Sequence, residues 1–269
     1  MGFAFALLLP FLLITNASGA APNYLDTSSY PSPGQSQLLA AAEGRGQPTA
    51  KELRSLTEAY ESDPAYLKLV EAYQGGLYRY FKVNPEKPAA WKKKNAKLLK
   101  GIDNYVGSSD ESMADEEISW QSINGKLRQK EKLTAAEQKY LDEIKASMAL
   151  LPTVKGLAFR GQAMTPERFA SIPEKAVWPQ MAFTSATLSY STARGFGRGH
   201  EGYSWTGILI LKLKSGAPVS PLTFDGGSGG QPGRLDEYEL LLAPGSKLFV
   251  HAKIKDEENQ TYYVLAEER

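Results

Sequence analysis

The chain changes periodicity once, near Gly156, and that single change limits the folds open to it. Before it, apolar residues recur at helical spacing; after it, short apolar and alternating runs read as strands. Thr49 with Glu52 predicts a capping box, followed by Leu53, Leu56 and Tyr60 on one helical face. Asp63-Pro64 opens a second helix carrying Tyr66, Leu67, Val70 and Tyr73, with Gly75-Gly76 expected to close it. Leu77 to Phe81 reads as a short helix or a buried connector. A helix from about Pro88 to Val106 carries Lys92-Lys93-Lys94 as a solvated face. Another, from about Asp110 to Arg128, sets Ile118, Trp120, Ile123 and Leu127 near one side. Thr134 and Glu137 form a second capping box, for a helix ending near Leu151-Pro152. Strands are expected at Leu157–Arg160, Met181–Ser185, Gly207–Leu213, Tyr238–Leu242, Lys247–Ile254 and Thr261–Ala266, the last two as a hairpin. Helices first and strands later specify an α+β arrangement. The lack of strand–helix alternation argues against a doubly wound dinucleotide fold.

The N-terminus divides further. An apolar run from Phe3 to Ile14, then small residues, has the pattern of a secretory signal peptide (residues 1–20, cleavage after Ala20), although no Lys or Arg precedes the run. Residues 21–48, rich in Pro, Ser, Gly and Ala, read as a poorly structured leader. Residues 49–269 then form a single domain, with a helical part at 49–150 and a strand-rich part at 151–269. Cys 0 excludes a disulfide framework and a thiol nucleophile. With only His200 and His251 present, no metal site is expected. A net charge of +1 argues against broad binding to nucleic acid, and no later stretch reaches the length of a membrane span.

Two glycine-rich stretches invite a nucleotide reading and fail it. Gly195-Phe196-Gly197-Arg198-Gly199 lacks the third Gly and the βαβ context of a dinucleotide turn. Gly226-Gly227-Ser228-Gly229-Gly230 lacks the Lys-Ser/Thr of a P-loop. Both read as mobile loops. Beside the second lies Glu237-Tyr238-Glu239. On a strand, Glu237 and Glu239 would stand side by side on one face at the edge of a sheet. They are either two solvated charges or a pair that something cationic uses.

Three constellations in one order decide between these. Arg160-Gly161 ends the first strand; Ser185-Ala186-Thr187-Leu188 follows another, with Ala193 and Phe196 beyond it; Glu237-Tyr238-Glu239 comes last, its strand closed by Pro244-Gly245. The ordered set resembles the toxin-like mono-ADP-ribosyltransferases of the Arg–Ser–Glu class. The resemblance runs from about Asp115 to the C-terminus and includes Ile118-Ser119-Trp120-Gln121-Ser122-Ile123-Asn124, similar to the family's aromatic-x-x-Ile-Asn helix. Ala186 and Thr187 depart from the family's Ser-Thr-Ser pattern, and Ala182-Phe183-Thr184 replaces a frequent upstream Asn.

The resemblance implies N-terminal helices packed on a mixed, mainly antiparallel two-sheet β core, and NAD as co-substrate. It implies Arg160, Ser185, Glu237 and Glu239 as catalytic residues. Glu239 would stabilise the oxocarbenium ion as nicotinamide leaves, and Glu237 would receive an arginine acceptor. Arg160, Gly161, Ser185, Thr187, Arg198, Trp120, Asn124 and Glu239 would contact NAD. The implied partner is a host protein bearing the acceptor arginine, actin ahead of a GTP-binding protein, reached with the help of a separate delivery component. Two other readings stay open: an NAD glycohydrolase whose acceptor is water, and a non-catalytic binding module.

Overall fold

The computed structural model describes residues 23–80, 93, 96, 100–102, 105, 118–198, 204–219 and 237–269. The expected signal segment, the Gly226–Gly230 loop and most of the stretch from 88 to 117 lie outside the described residues. Within that stretch Lys93, Ala96, Lys100, Gly101, Ile102 and Tyr105 are helical.

Eight strands are hydrogen-bonded into one network: β1 (Asn23–Asp26), β2 (Thr153–Met164), β3 (Ala176–Pro179), β4 (Thr184–Thr187), β5 (Trp205–Pro218), β6 (Glu239–Leu242), β7 (Lys247–Asp256) and β8 (Thr261–Glu268). Their order is β1-β2-β4-β6-β5-β8-β7-β3, and β2 also pairs with β5. Strands β2, β4, β6 and β5 therefore close a ring, which joins the two expected sheets into one. The pairs β1–β2 and β5–β8 are parallel and the rest antiparallel. The expected hairpin is β7–β8, closed at Asp256↔Thr261.

Seven helices are labelled here: α1 (Pro33–Ala42), α2 (Ala50–Tyr60), α3 (Pro64–Tyr80), α4 (Trp120–Gln129), α5 (Ala135–Met148), α6 (Pro166–Ser171) and α7 (Tyr190–Gly197). Capping boxes at Thr49 and Thr134 start α2 and α5 as expected. The run Ile208-Leu209-Ile210-Leu211 on β5 is wholly buried because helices and strands cover both its faces. Ile208 and Ile210 join Phe159 and Tyr263 against Leu38 of α1 and Leu53 and Tyr60 of α2. Leu209 and Leu211 face the other way, into a cluster with Val264 and with Leu69 and Tyr73 of α3. A third cluster packs Ile123 of α4 and Tyr140 and Ile144 of α5 on Phe183 and Leu241.

The leader is folded from Asn23 onward, contrary to expectation. Strand β1 adds to β2, and buried Thr27 accepts a hydrogen bond from the Leu157 amide at 2.7 Å. Ser32 caps α1, whose Gln35 Nε2 donates to the Thr27 carbonyl at 2.7 Å. Proline and serine here start a helix, and Leu38, Ala41 and Ala42 give it a buried face. Helix α3 likewise runs through Gly75-Gly76 to Tyr80. Each interior Gly costs roughly 1 kcal/mol, less than burial of Leu69, Val70 and Tyr73 returns. Of the helix expected from Asp110, residues 110–117 lie outside the described residues; α4 itself starts at Trp120, where Ser119 and Ser122 cap each other's backbone amides and Ile118-Ser119 is not helical. Residues 195–197, read as loop, are the last turn of α7. Elements β3 and α6 had no expectation.

The folded leader makes a direct prediction. Leu38→Ala should cost about 2–5 kcal/mol of unfolding free energy in a denaturant titration, whereas a change in an unstructured leader would cost less than about 0.5 kcal/mol.

Candidate active site

Residues from β2, β4 and the start of β6 meet at a cavity of about 620 Å³ whose lining includes Arg160, Gly161, Ser185, Thr187, Glu237 and Glu239. The register explains the convergence. Phe159 pairs with Thr187, and Thr187 with Glu239, so Arg160 and Ser185 sit on either side of one point of the ring. Arg160 Nη1 donates to the Ser185 carbonyl at 2.6 Å, bridging the two strands. Burial pushes the Arg160 pKa down; nearby Tyr105 and Glu239 oppose this shift, and the like charge of Arg128 adds to it. The guanidinium stays charged even so.

Gly161 has a packing reason of its own. A Cβ there would lie 1.6 Å from the Ala193 carbonyl oxygen and 2.7 Å from the Gly197 amide nitrogen. Only hydrogen fits where α7 crosses β2, so the Arg-Gly pair needs its second member to seat the helix that carries Ala193 and Phe196. The ring of Phe196, 65% exposed, stands at the rim of the cavity.

The two carboxylates share the cavity, but by a different geometry from the expected one. Strand β6 begins at Glu239, lies between β4 and β5 rather than at an edge, and Glu237 precedes it. Between them Tyr238 has φ +41°, in the left-handed region. The carbonyls of this turn are held one by one: Glu237's by the Thr187 hydroxyl, Tyr238's by the Leu188 amide at 3.3 Å, and Glu239's by the Tyr73 hydroxyl at 2.6 Å and the Val219 amide at 3.1 Å. Thr187 also accepts from the Ser189 amide at 2.9 Å, so its hydroxyl braces the turn.

Asn124 and Trp120 line the cavity from α4. Asn124 is buried; its Oδ1 accepts from the Phe183 amide at 3.1 Å and its Nδ2 donates to the Tyr105 hydroxyl at 3.4 Å. Trp120 packs against Tyr105 with centroids 5.9 Å apart. Tyr105 itself escapes sequence reasoning, since a lone Tyr in a helical stretch carries no motif. Burial pushes its pKa up, against hydrogen bonds with Asn124 and Ser185. Protonated, it is a fixed polar group on the cavity wall.

Arg198 is not brought to the site: it caps the exposed end of α7, outside the cavity lining. Arg128 is there instead, one helical turn after Asn124, a spacing that could have found it. It also lines an adjoining cavity of about 240 Å³ with Arg160, Gln162, Arg168 and Trp178. Gln162 Nε2 is buried at this junction without a hydrogen-bond partner among the described residues. Two adjoining cavities that share Arg128 and Arg160 suit an elongated, anionic ligand.

No protein-family model matches the chain, and no curated protein sequence matches it. Among solved structures, it is similar to the ADP-ribosyltransferase Vis in complex with the M6 inhibitor, with 18% identity over 86% of this chain and 90% of that one and a TM-score of 0.50. Vis is a toxin of Vibrio splendidus. Exoenzyme S of Pseudomonas aeruginosa, bound to human 14-3-3 protein beta and carba-NAD, aligns at 19% identity over 74% of this chain and 88% of that one, with a TM-score of 0.49. The likeness to Vis is one of fold: helices on a mainly antiparallel strand network.

Asn124→Ala should lower stability by about 1–3 kcal/mol, since it leaves the buried Phe183 amide unpaired. Asn124→Asp, which keeps an acceptor for that amide, should recover part of the loss. Thermal denaturation of the two variants checks this, and equal stability of all three chains would remove the bracing role.

Proposed function

We propose that this chain, with the fold of the ADP-ribosyltransferase toxins, transfers ADP-ribose from NAD to an arginine of a host protein. One observation carries the reading: Arg160, Ser185, Glu237 and Glu239, from three separate stretches of sequence, line a single cavity. The C1′–N bond of NAD breaks and its electron pair leaves with nicotinamide, giving an oxocarbenium-like transition state. Glu239 supplies fixed negative charge where positive charge develops and accepts a hydrogen bond from the ribose 2′-hydroxyl. Ser185 orients that carboxylate and the nicotinamide ribose. Arg160, with Arg128 and Gln162 at the junction of the cavities, takes the pyrophosphate. Trp120 gives the dinucleotide an apolar wall, while Gly161 seats α7, Thr187 braces the carboxylate turn and Asn124 holds the Phe183 amide, each serving the cavity's geometry more than touching ligand.

Glu237 is the acceptor residue. A protein arginine is protonated at working pH, so the carboxylate orients its guanidinium and takes the proton released as nitrogen attacks C1′. When water attacks instead, the same cavity gives an NAD glycohydrolase side activity. The protein would be secreted through its signal segment, act inside a host cell after passage with a separate component, and modify actin ahead of a GTP-binding protein.

Labelled NAD and a host-cell lysate test the reading. A labelled protein band supports transfer; free ADP-ribose alone assigns the chain to hydrolysis; no nicotinamide release leaves a binding module. Glu239→Gln should lower both reactions by about 10²–10³-fold. Glu237→Gln should reduce transfer while sparing most hydrolysis, and equal loss of both would remove its acceptor role.

A further inference from the structure

We infer that helix α3 belongs to the reaction machinery: Tyr73 is a positioning residue that sets the Glu239 carboxylate through the main chain. The inference rests on the enzymatic reading above and assigns a task to the helical half.

The turn Glu237–Glu239 enters β6 through a left-handed Tyr238, a conformation that costs a bulky residue of order 1–3 kcal/mol. Something must impose it. Two of its carbonyls are held from Thr187 and Leu188, at the end of β4 and just beyond it. The third, on Glu239 itself, accepts from the Val219 amide at 3.1 Å and, more closely, from the Tyr73 hydroxyl at 2.6 Å, across 166 residues of sequence. The Tyr238 ring is clasped edge-on by the same helix, with centroids 6.0 Å from Tyr73 and 6.4 Å from Tyr66. Helix α3 thus grips both the residue that bends the turn and the peptide that bears the carboxylate.

The hydroxyl is what points to positioning rather than packing. Tyr73 is fully buried in the apolar cluster of Leu69, Leu240 and Leu242. A Phe would fill that volume without a polar atom to satisfy, and a buried hydroxyl is unfavourable unless bonded. Its bond goes to Glu239. Misplacing a reacting group by about 1 Å can cost up to 10²-fold in rate, so a small release of this carbonyl is measurable in turnover.

The test is Tyr73→Phe in the full chain, with NAD cleavage measured by nicotinamide release and transfer by labelling of the lysate. The expected result is a fall in kcat of about tenfold in both reactions, with KM for NAD within about twofold of the parent. Thr57→Val is the control: it removes a buried hydroxyl bonded to the Leu53 carbonyl at 2.9 Å on α2, away from the turn. It should lower Tm and leave kcat unchanged. Should Tyr73→Phe fail to fold, Tyr66→Leu loosens the same turn through Tyr238, and the same kcat-only loss is expected. An unchanged kcat in the folded variant, or a rise in KM alone, overturns the positioning role while the parent chain still cleaves NAD. A parent chain that cleaves no NAD overturns the enzymatic reading and this inference with it.

Discussion

The bond from Arg160 to the Ser185 carbonyl is the contact on which the site depends. Strands β2 and β4 share a single register pair, Phe159↔Thr187, too little to hold two strands at a fixed separation. A charge-assisted hydrogen bond from a half-buried guanidinium supplies the missing link and is stronger than a neutral one. It also places a permanent positive charge within reach of Glu239. One side chain therefore ties the ring of strands together and sets the electrostatics of the cavity. The neighbouring Gly161 lets α7 close over the same point.

The two halves of the chain are less separate than their sequences. Glu61, just after α2, accepts from the Ser189 hydroxyl at 2.7 Å and the Ser191 amide at 2.9 Å, satisfying donors at the start of α7. Helix α3 reaches Glu239. Helix α4 reaches the Phe183 amide through Asn124. Three of the segments around the cavity thus have a polar contact from a helix or its end, added to apolar burial that is not directional. The apolar clusters keep the layers together, and these few hydrogen bonds fix where the side chains point.

What the sequence made legible follows from whether the signal is local. The capping boxes at Thr49 and Thr134 and the β7–β8 hairpin are local, and all were readable. The three motif stretches were readable as an ordered set, and the structure gathers them at one cavity. The leader was misread because its anchors, Thr27 to Leu157 and β1 to β2, are long-range. The glycines at 75 and 76 were read by propensity, which packing overrode. The turn at Tyr238 was read as plain strand, since nothing in Glu-Tyr-Glu announces a left-handed residue. Tyr73 was read only as an apolar residue of its helix and Tyr105 not at all, because a tyrosine acquires its role from what its hydroxyl meets.

The contacts that finish the site join residues 25, 59 and 166 apart in sequence. Closing such loops has an entropic cost before any contact rewards it, and folding slows as contact order rises. Helices such as α2 and α5, with their own caps, need no such closure. The cavity arrangement is consequently among the last features the chain can complete during folding. A chain held in partly unfolded form would lack the cavity, so an intact cavity reports completed folding of the whole molecule rather than of any part.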